Sequence, residues 1–163
     1  MNRIFNRSNL IGKACLSILF LVFSCQNTNA KPIEQQKNIT ATISKEKIIA
    51  QHNDVLKKDK ETDALFEQAN LNQVEMNQIS CDRYQVWDKQ LNDLWTYLKQ
   101  TLPKNEMKTL TQEQRKWIKQ KEDYAKKEAS DWEGGSMQIM IECGALTKQT
   151  RERVVELMRD YIQ

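Results

Sequence analysis

The run from Cys81 to Leu102, CDRYQVWDKQLNDLWTYLKQTL, constrains this chain more than any other stretch. Tyr84, Trp87, Leu91, Leu94, Leu98 and Leu102 recur at steps of three or four, which places them on one face of a helix. Asp88, Lys89, Asn92, Asp93 and Lys99 fall mostly off that face. Cys81 is read as opening the helix. With only 4 Gly and 2 Pro and abundant Lys, Glu and Gln, the chain favours helices with short connections over a β-sandwich. The expected fold is all-α: a small, disulfide-stapled helical bundle or hairpin. At 39% apolar residues the core is modest, so a covalent staple matters.

The first residues read as an address. A basic start is followed by an apolar run from Ala14 to Phe23, the shape of a secretory signal over residues 1–24. Val22-Phe23-Ser24-Cys25 resembles a bacterial lipobox, with Phe23 larger than usual in such a box. That resemblance implies cleavage before Cys25, lipid on its thiol and acylation of the new amino group, enough acyl chains for stable anchoring. Gln26 after the lipid cysteine favours the outer membrane where a cell has two. An ordinary signal peptide cut after Ala30 is the competing reading.

Residues 25–61 are expected to form a flexible tether, polar and without apolar periodicity up to about Thr42. Helical composition returns from Ser44, with Ser44 and Thr62 as candidate caps. Leu65, Ala69, Met76 and Ile79 form a stripe that Asn72 interrupts. Residues 62–80 therefore read equally as an ordered or a fluctuating helix, and residues 81–163 as the folded domain. His52, the only histidine, lies in the Lys-rich section and is expected to be solvated.

Four cysteines reduce to one pair. Cys15 leaves with the signal, Cys25 takes lipid, and Cys81 and Cys143 remain in an exported protein, where disulfides persist. Closing a loop of about 60 residues stabilises by roughly 4 kcal/mol in the chain-entropy description. A thiolate nucleophile would want a nearby base, and no histidine lies beyond residue 80. Zinc would want four ligands at recognised spacings. No metal or other cofactor is expected.

Pro103 ends the first long helix, Pro103-Lys104-Asn105-Glu106 reads as a turn, and Met107 to Trp132 carries the next helix. Met107, Leu110, Gln114, Trp117 and Tyr124 mark its face, which Ile118 widens. Gly134-Gly135 breaks it, and Ser136 is placed to cap the helix that follows. Gln114, on an apolar face, should hydrogen-bond a buried group. Trp132, beside Glu133 in the turn, is the tryptophan expected to be exposed and is a candidate partner contact.

The ordered set Cys81, Asp88-x-x-Leu91-Asn92, Leu110-x-x-x-Gln114-x-x-Trp117, Gly134-Gly135-Ser136, Cys143 and Thr150-x-x-Arg153-x-x-Glu156-Leu157 resembles the LprI-type lysozyme-inhibitor domain. The likeness spans about 81–162. It implies a small exported helical domain in which Gln114, Trp117 and Arg153 belong to the structural motif. It also implies inhibition of a lysozyme or related wall-cleaving enzyme. A carboxylate or serine near the 134–136 turn, Glu133 or Ser136, would enter the enzyme's cleft. Many members carry Arg-Asp and a further Cys after the tryptophan; Lys121, Glu122 and Ala125 stand there instead, so a second bridge is excluded.

Charge bears on the function classes. Lys and Arg number 25 against 22 Asp and Glu; removing Arg3, Arg7 and Lys13 with the signal leaves 22 against 22. A neutral mature chain carries no basic stripe for nucleic acid and no acidic surplus to draw in a basic lysozyme at long range. No Ser-His-Asp set, HExxH, Walker loop or paired CxxC is present, and Glu106, Glu113, Asp131 and Glu133 read as solvated carboxylates. The expectation is a non-enzymatic envelope lipoprotein that binds protein. The alternative is an accessory lipoprotein docking another envelope protein without inhibiting lysozyme.

Overall fold

A computed structural model describes residues 43–67 and 70–162. The signal segment, Cys25 and the tether up to residue 42 lie outside the described residues. Among the described residues, four α-helices make up the fold: α1 (Lys45–Phe66), α2 (Gln73–Thr101), α3 (Lys104–Ala129) and α4 (Gln138–Tyr161), with a short 3-10 turn over Ser130–Trp132. None of the described helices is long and apolar enough to cross a membrane.

The directions of the helices follow from their cross-contacts. Asn77 pairs with Ser136, Ser80 with Met140 and Cys81 with Cys143, so α2 and α4 run parallel. Gln114 meets Arg153 and Tyr124 meets Lys148, so α3 is antiparallel to α4. Gln51 meets Asp93 and Asp59 meets Arg83, so α1 is antiparallel to α2. One pole of the bundle thus holds the start of α2, the 130–137 turn and the start of α4. At the other pole, Gln100 near the end of α2 accepts a bond from the Ile43 amide at 3.2 Å.

The core is built from Ile48 and Val55 of α1, Trp87, Leu91, Leu94 and Leu98 of α2, Leu110 of α3, and Val154 and Leu157 of α4. The stripe expected on α2 is confirmed at its four central positions; Tyr84 and Leu102 at its ends are half-buried. The turn expected over 103–106 is already helix, since α3 starts at Lys104; Pro103 stands at its head, where its missing N–H costs no helix bond. On α3, Ile118 does not widen the buried face: it is 41% exposed, and Lys121, Ala125 and Ala129 continue that face instead. Cys81 and Cys143 are bonded, with Cα atoms 5.0 Å apart and a sequence separation of 62.

Further expectations are corrected. The tether does not extend to residue 61, because α1 covers Lys45–Phe66. Ser44 caps it as expected, accepting from the Lys47 amide at 3.2 Å, but Thr62 is no cap: its hydroxyl donates to the Lys58 carbonyl within the helix. The inward stripe of α1 runs Ile48, His52, Val55, Asp59 at helical steps, and two polar members hide its apolar periodicity.

Residues 62–80 are not one helix, and Cys81 does not open α2. Asn70 adopts a φ of 108°, and Asn72 then caps α2. The Asn72 side chain accepts from the Val74 and Glu75 amides, and Glu75 reaches back to the Asn72 amide at 2.8 Å, a reciprocal capping box. Asn72 thus starts a helix where it had read as an interruption, and Cys81 lies two turns inside. Ser136 does not cap α4 through its side chain; Gln138 instead reaches back to accept from the Gly134 amide at 2.9 Å. Gly134 has a φ of 72°, a left-handed conformation that glycine adopts without strain.

Candidate functional site

The turn joining α3 to α4 places Trp132, Glu133 and Ser136 together at one pole, all three exposed. Trp132 is 43% exposed; Ile139 on the first turn of α4 and Val74 on the first turn of α2 are more so, at 55% and 76%. This apolar pole is held firmly from beneath. The Gly135 amide donates to the Trp132 carbonyl at 2.8 Å, and Asn77 Nδ2 donates to the Ser136 carbonyl at 3.0 Å. Ser80 Oγ donates to the Met140 carbonyl at 2.9 Å, next to the Cys81–Cys143 bond. A Cβ on Gly135 would stand 3.0 Å from the Trp132 carbonyl oxygen, so the close turn depends on glycine there.

Gln114 and Arg153 come together elsewhere. Arg153 Nε donates to Gln114 Oε1 at 3.0 Å, and Arg153 Nη1 pairs with Glu156 at 2.7 Å. Both Gln114 and Arg153 are buried, so this is a cross-brace between α3 and α4. Fifteen residues of helix separate Gln114 from the end of α3, roughly 22 Å from the exposed pole. Gln114→Met keeps the volume and removes the acceptor, leaving Arg153 Nε unpaired in the interior. The expected cost is about 1–3 kcal/mol in denaturant unfolding, because an orphaned buried donor loses its water without replacement. An unchanged unfolding midpoint would deny the brace its role.

Trp117 is half-buried and packs near Lys121 rather than joining the Gln114–Arg153 pair directly. The buried Lys121 ammonium lies 5.1 Å from the Trp117 ring centroid and 5.2 Å from that of Tyr84. It donates to the Tyr84 hydroxyl at 3.0 Å and stands 3.8 Å from Asp88. A cation between two aromatic faces therefore ties α3 to α2. Ala125, one turn later, is buried as well.

A second polar centre, missed in the sequence, joins α1 to the bundle. Asp59 of α1 is 8% exposed and accepts from Arg83 Nε at 2.6 Å, from the Trp87 indole N–H at 2.9 Å and from Arg151 Nη1 at 3.3 Å. Burial works to raise its pKa, but the Arg83 and Trp87 hydrogen bonds and the two guanidinium charges prevail and hold it below the ordinary carboxyl value. His52 is not solvated as expected. It is half-buried edge-on to Trp87, with ring centroids 6.1 Å apart, and burial lowers its pKa. Among the described residues no group of three or more His, Cys, Asp or Glu side chains is placed to hold a metal ion.

No curated protein and no solved structure matches the chain. A family model described as lysozyme inhibitor LprI matches residues 66–157. The match starts at the last residue of α1 and runs through α2, α3 and most of α4, so it includes the disulfide, the brace and the exposed pole while α1 precedes it. Spanning more than half of the sequence, it shows that this chain belongs to the lysozyme inhibitor LprI family.

Proposed function

We propose that the protein is a cell-envelope lipoprotein, held to a membrane by lipid on Cys25, that binds and inhibits a lysozyme or a related wall-cleaving enzyme. The contact surface is the pole formed by Trp132, Glu133 and Ser136, flanked by Ile139 and Val74. One observation carries the choice of surface: an exposed tryptophan stands on a turn that the disulfide and three hydrogen bonds support from below. An inhibitor needs a contact surface that does not lose its shape on binding, since ordering a loose loop at that step weakens affinity. Trp132 has the size to fill part of a cleft, and Glu133 and Ser136 supply an acceptor and a hydroxyl beside it.

The neutral balance of the mature chain supports recognition by short-range fit rather than by steering. Inhibition should therefore fall little between low and physiological salt. Titrating the full chain into a lysozyme activity assay tests the reading directly. Inhibition is expected at micromolar concentrations or below. Trp132→Ala should weaken it on the order of tenfold or more with no shift in thermal midpoint, since the side chain touches little of the core. No inhibition at micromolar concentrations, together with recovery of a stable envelope partner, would favour the accessory role instead.

A further inference from the structure

Two motifs of the sequence, Asp88-x-x-Leu91-Asn92 and Gln114-x-x-Trp117, meet in one cleft of about 250 Å³ on the flank of the bundle. The backbones of α2 and α3 both pack on α4 and stand apart from each other, which leaves a furrow between them. On one side α2 lines it with Asp88, Leu91, Asn92 and Trp95, a single helix stripe. On the other, α3 answers with a stripe that runs from Gln114 to Lys121. Each wall is two turns of helix, about 10 Å long. The volume falls just under the range of about 300–1,000 Å³ that takes drug-sized ligands, so the cleft suits one ring with its substituents.

The groups that line it are open to solvent. Asn92 is exposed, the Asp88 side chain is 37% exposed, and Trp95 and Trp117 are each half-buried. Asn92 Nδ2 donates to Asp88 Oδ2 at 3.0 Å, which fixes the pair and leaves the Asn92 carbonyl and further carboxylate lone pairs as acceptors. The Lys121 ammonium stands 3.8 Å from Asp88 and 5.1 Å from the Trp117 ring centroid, so carboxylate and ring share one place. Its charge also offsets that of Asp88, and the cleft therefore favours a neutral ligand. Ile118, 41% exposed where the sequence had placed it on the buried face, adds an aliphatic patch beside Trp117.

A neutral ligand here must donate hydrogen bonds and also cover ring surface. An apolar side chain of a protein partner would cover the rings but strip water from Asp88 and Asn92 without replacing it. A sugar meets both demands: its C–H face lies on an indole, and its hydroxyl edge donates to the carboxylate and amide oxygens. An acetamido group adds one more donor, and its methyl group matches the Ile118 patch. We propose that the α2–α3 cleft binds an uncharged N-acetylhexosamine ring. This flank is separate from the 130–137 turn assigned to the wall-cleaving enzyme, and binding there stands or falls independently of inhibition.

The probe is methyl N-acetyl-β-D-glucosaminide, titrated into the ¹⁵N-labelled full chain while the indole N–H resonances of Trp95 and Trp117 and the side-chain amide of Asn92 are followed. A ligand so small should bind with a Kd on the order of millimolar. Saturable shifts at all three side chains are expected, with the Trp132 indole unmoved. Methyl β-D-glucoside, which lacks the acetamido group, should bind roughly tenfold more weakly. Asn92→Ala and Trp95→Phe should each weaken the amino sugar to a similar degree, and Asn92→Ala, at an exposed position, should leave the thermal midpoint in place. The proposal is overturned by the absence of a saturable response, by equal binding of the glucoside, or by undiminished binding in both variants. It is equally overturned if N-acetyl-L-leucine amide is preferred to the sugar, which would assign the cleft to a protein side chain.

Discussion

Reducing the Cys81–Cys143 bond should lower the unfolding free energy by about 4 kcal/mol, the largest single loss expected in this protein. The bond closes a loop of 62 residues that contains most of α2, all of α3 and the exposed turn. Without it the unfolded chain recovers the freedom to separate its ends, while the folded chain keeps its other contacts between α2 and α4. A domain with a total stability of about 5–15 kcal/mol then retains only part of it. Denaturant unfolding of the oxidised and the Cys81→Ala/Cys143→Ala forms measures the difference. A gap under about 1 kcal/mol would mean that the unfolded chain is already compact across this loop. Because Ser80 and Met140 sit beside the bond, the exposed pole should also loosen first, seen as faster amide exchange at 134–141.

Asp59→Ala should cost about 1–3 kcal/mol, since it strands Arg83 Nε and the Trp87 indole N–H in a largely buried setting. Lost packing is small by comparison; the cost comes from two donors left without their acceptor, while Arg83 Nη1 keeps its pair with Asp63 at 2.8 Å. The same carboxylate predicts an acid limb. Its folded-state pKa lies below the ordinary 3.8, so the unfolded state takes up the proton first as pH falls. The stabilisation is fully present above the ordinary carboxyl range and is lost as pH drops through it towards the folded value. Asp59→Ala should therefore flatten the stability profile below about pH 4 relative to the parent. Equal acid limbs in the two proteins would locate the sensitivity in other carboxylates.

Much of the fold is legible from a few residues. Trp87, Leu91, Leu94 and Leu98 announce α2 because its inward face is nearly pure hydrocarbon. Cys81 and Cys143 stand out as a pair because they are the two cysteines of the helical region, and they are bonded. Gly134-Gly135 marks the turn, and Trp132 beside it is exposed as its position implied.

Where the reading failed, a polar side chain had taken a core position. His52 and Asp59 face inward on α1, so its stripe resembles a solvated helix, and only the partners Trp87 and Arg83, more than 20 residues later, reveal why they are tolerated. Lys121 looks like one more lysine in a Lys-rich helix until Tyr84 and Trp117 close around it. Asn72-x-x-Glu75 was the one missed signal written locally, since a capping box needs nothing beyond its own four residues.

The added helix α1 also decides at which pole the described chain starts. Its 22 residues span roughly 33 Å, carrying the backbone from the Gln100 side to the end where α2 begins. The described chain therefore begins at the pole opposite the one that carries Trp132, and the aromatic turn stands a full helix length away from that starting point.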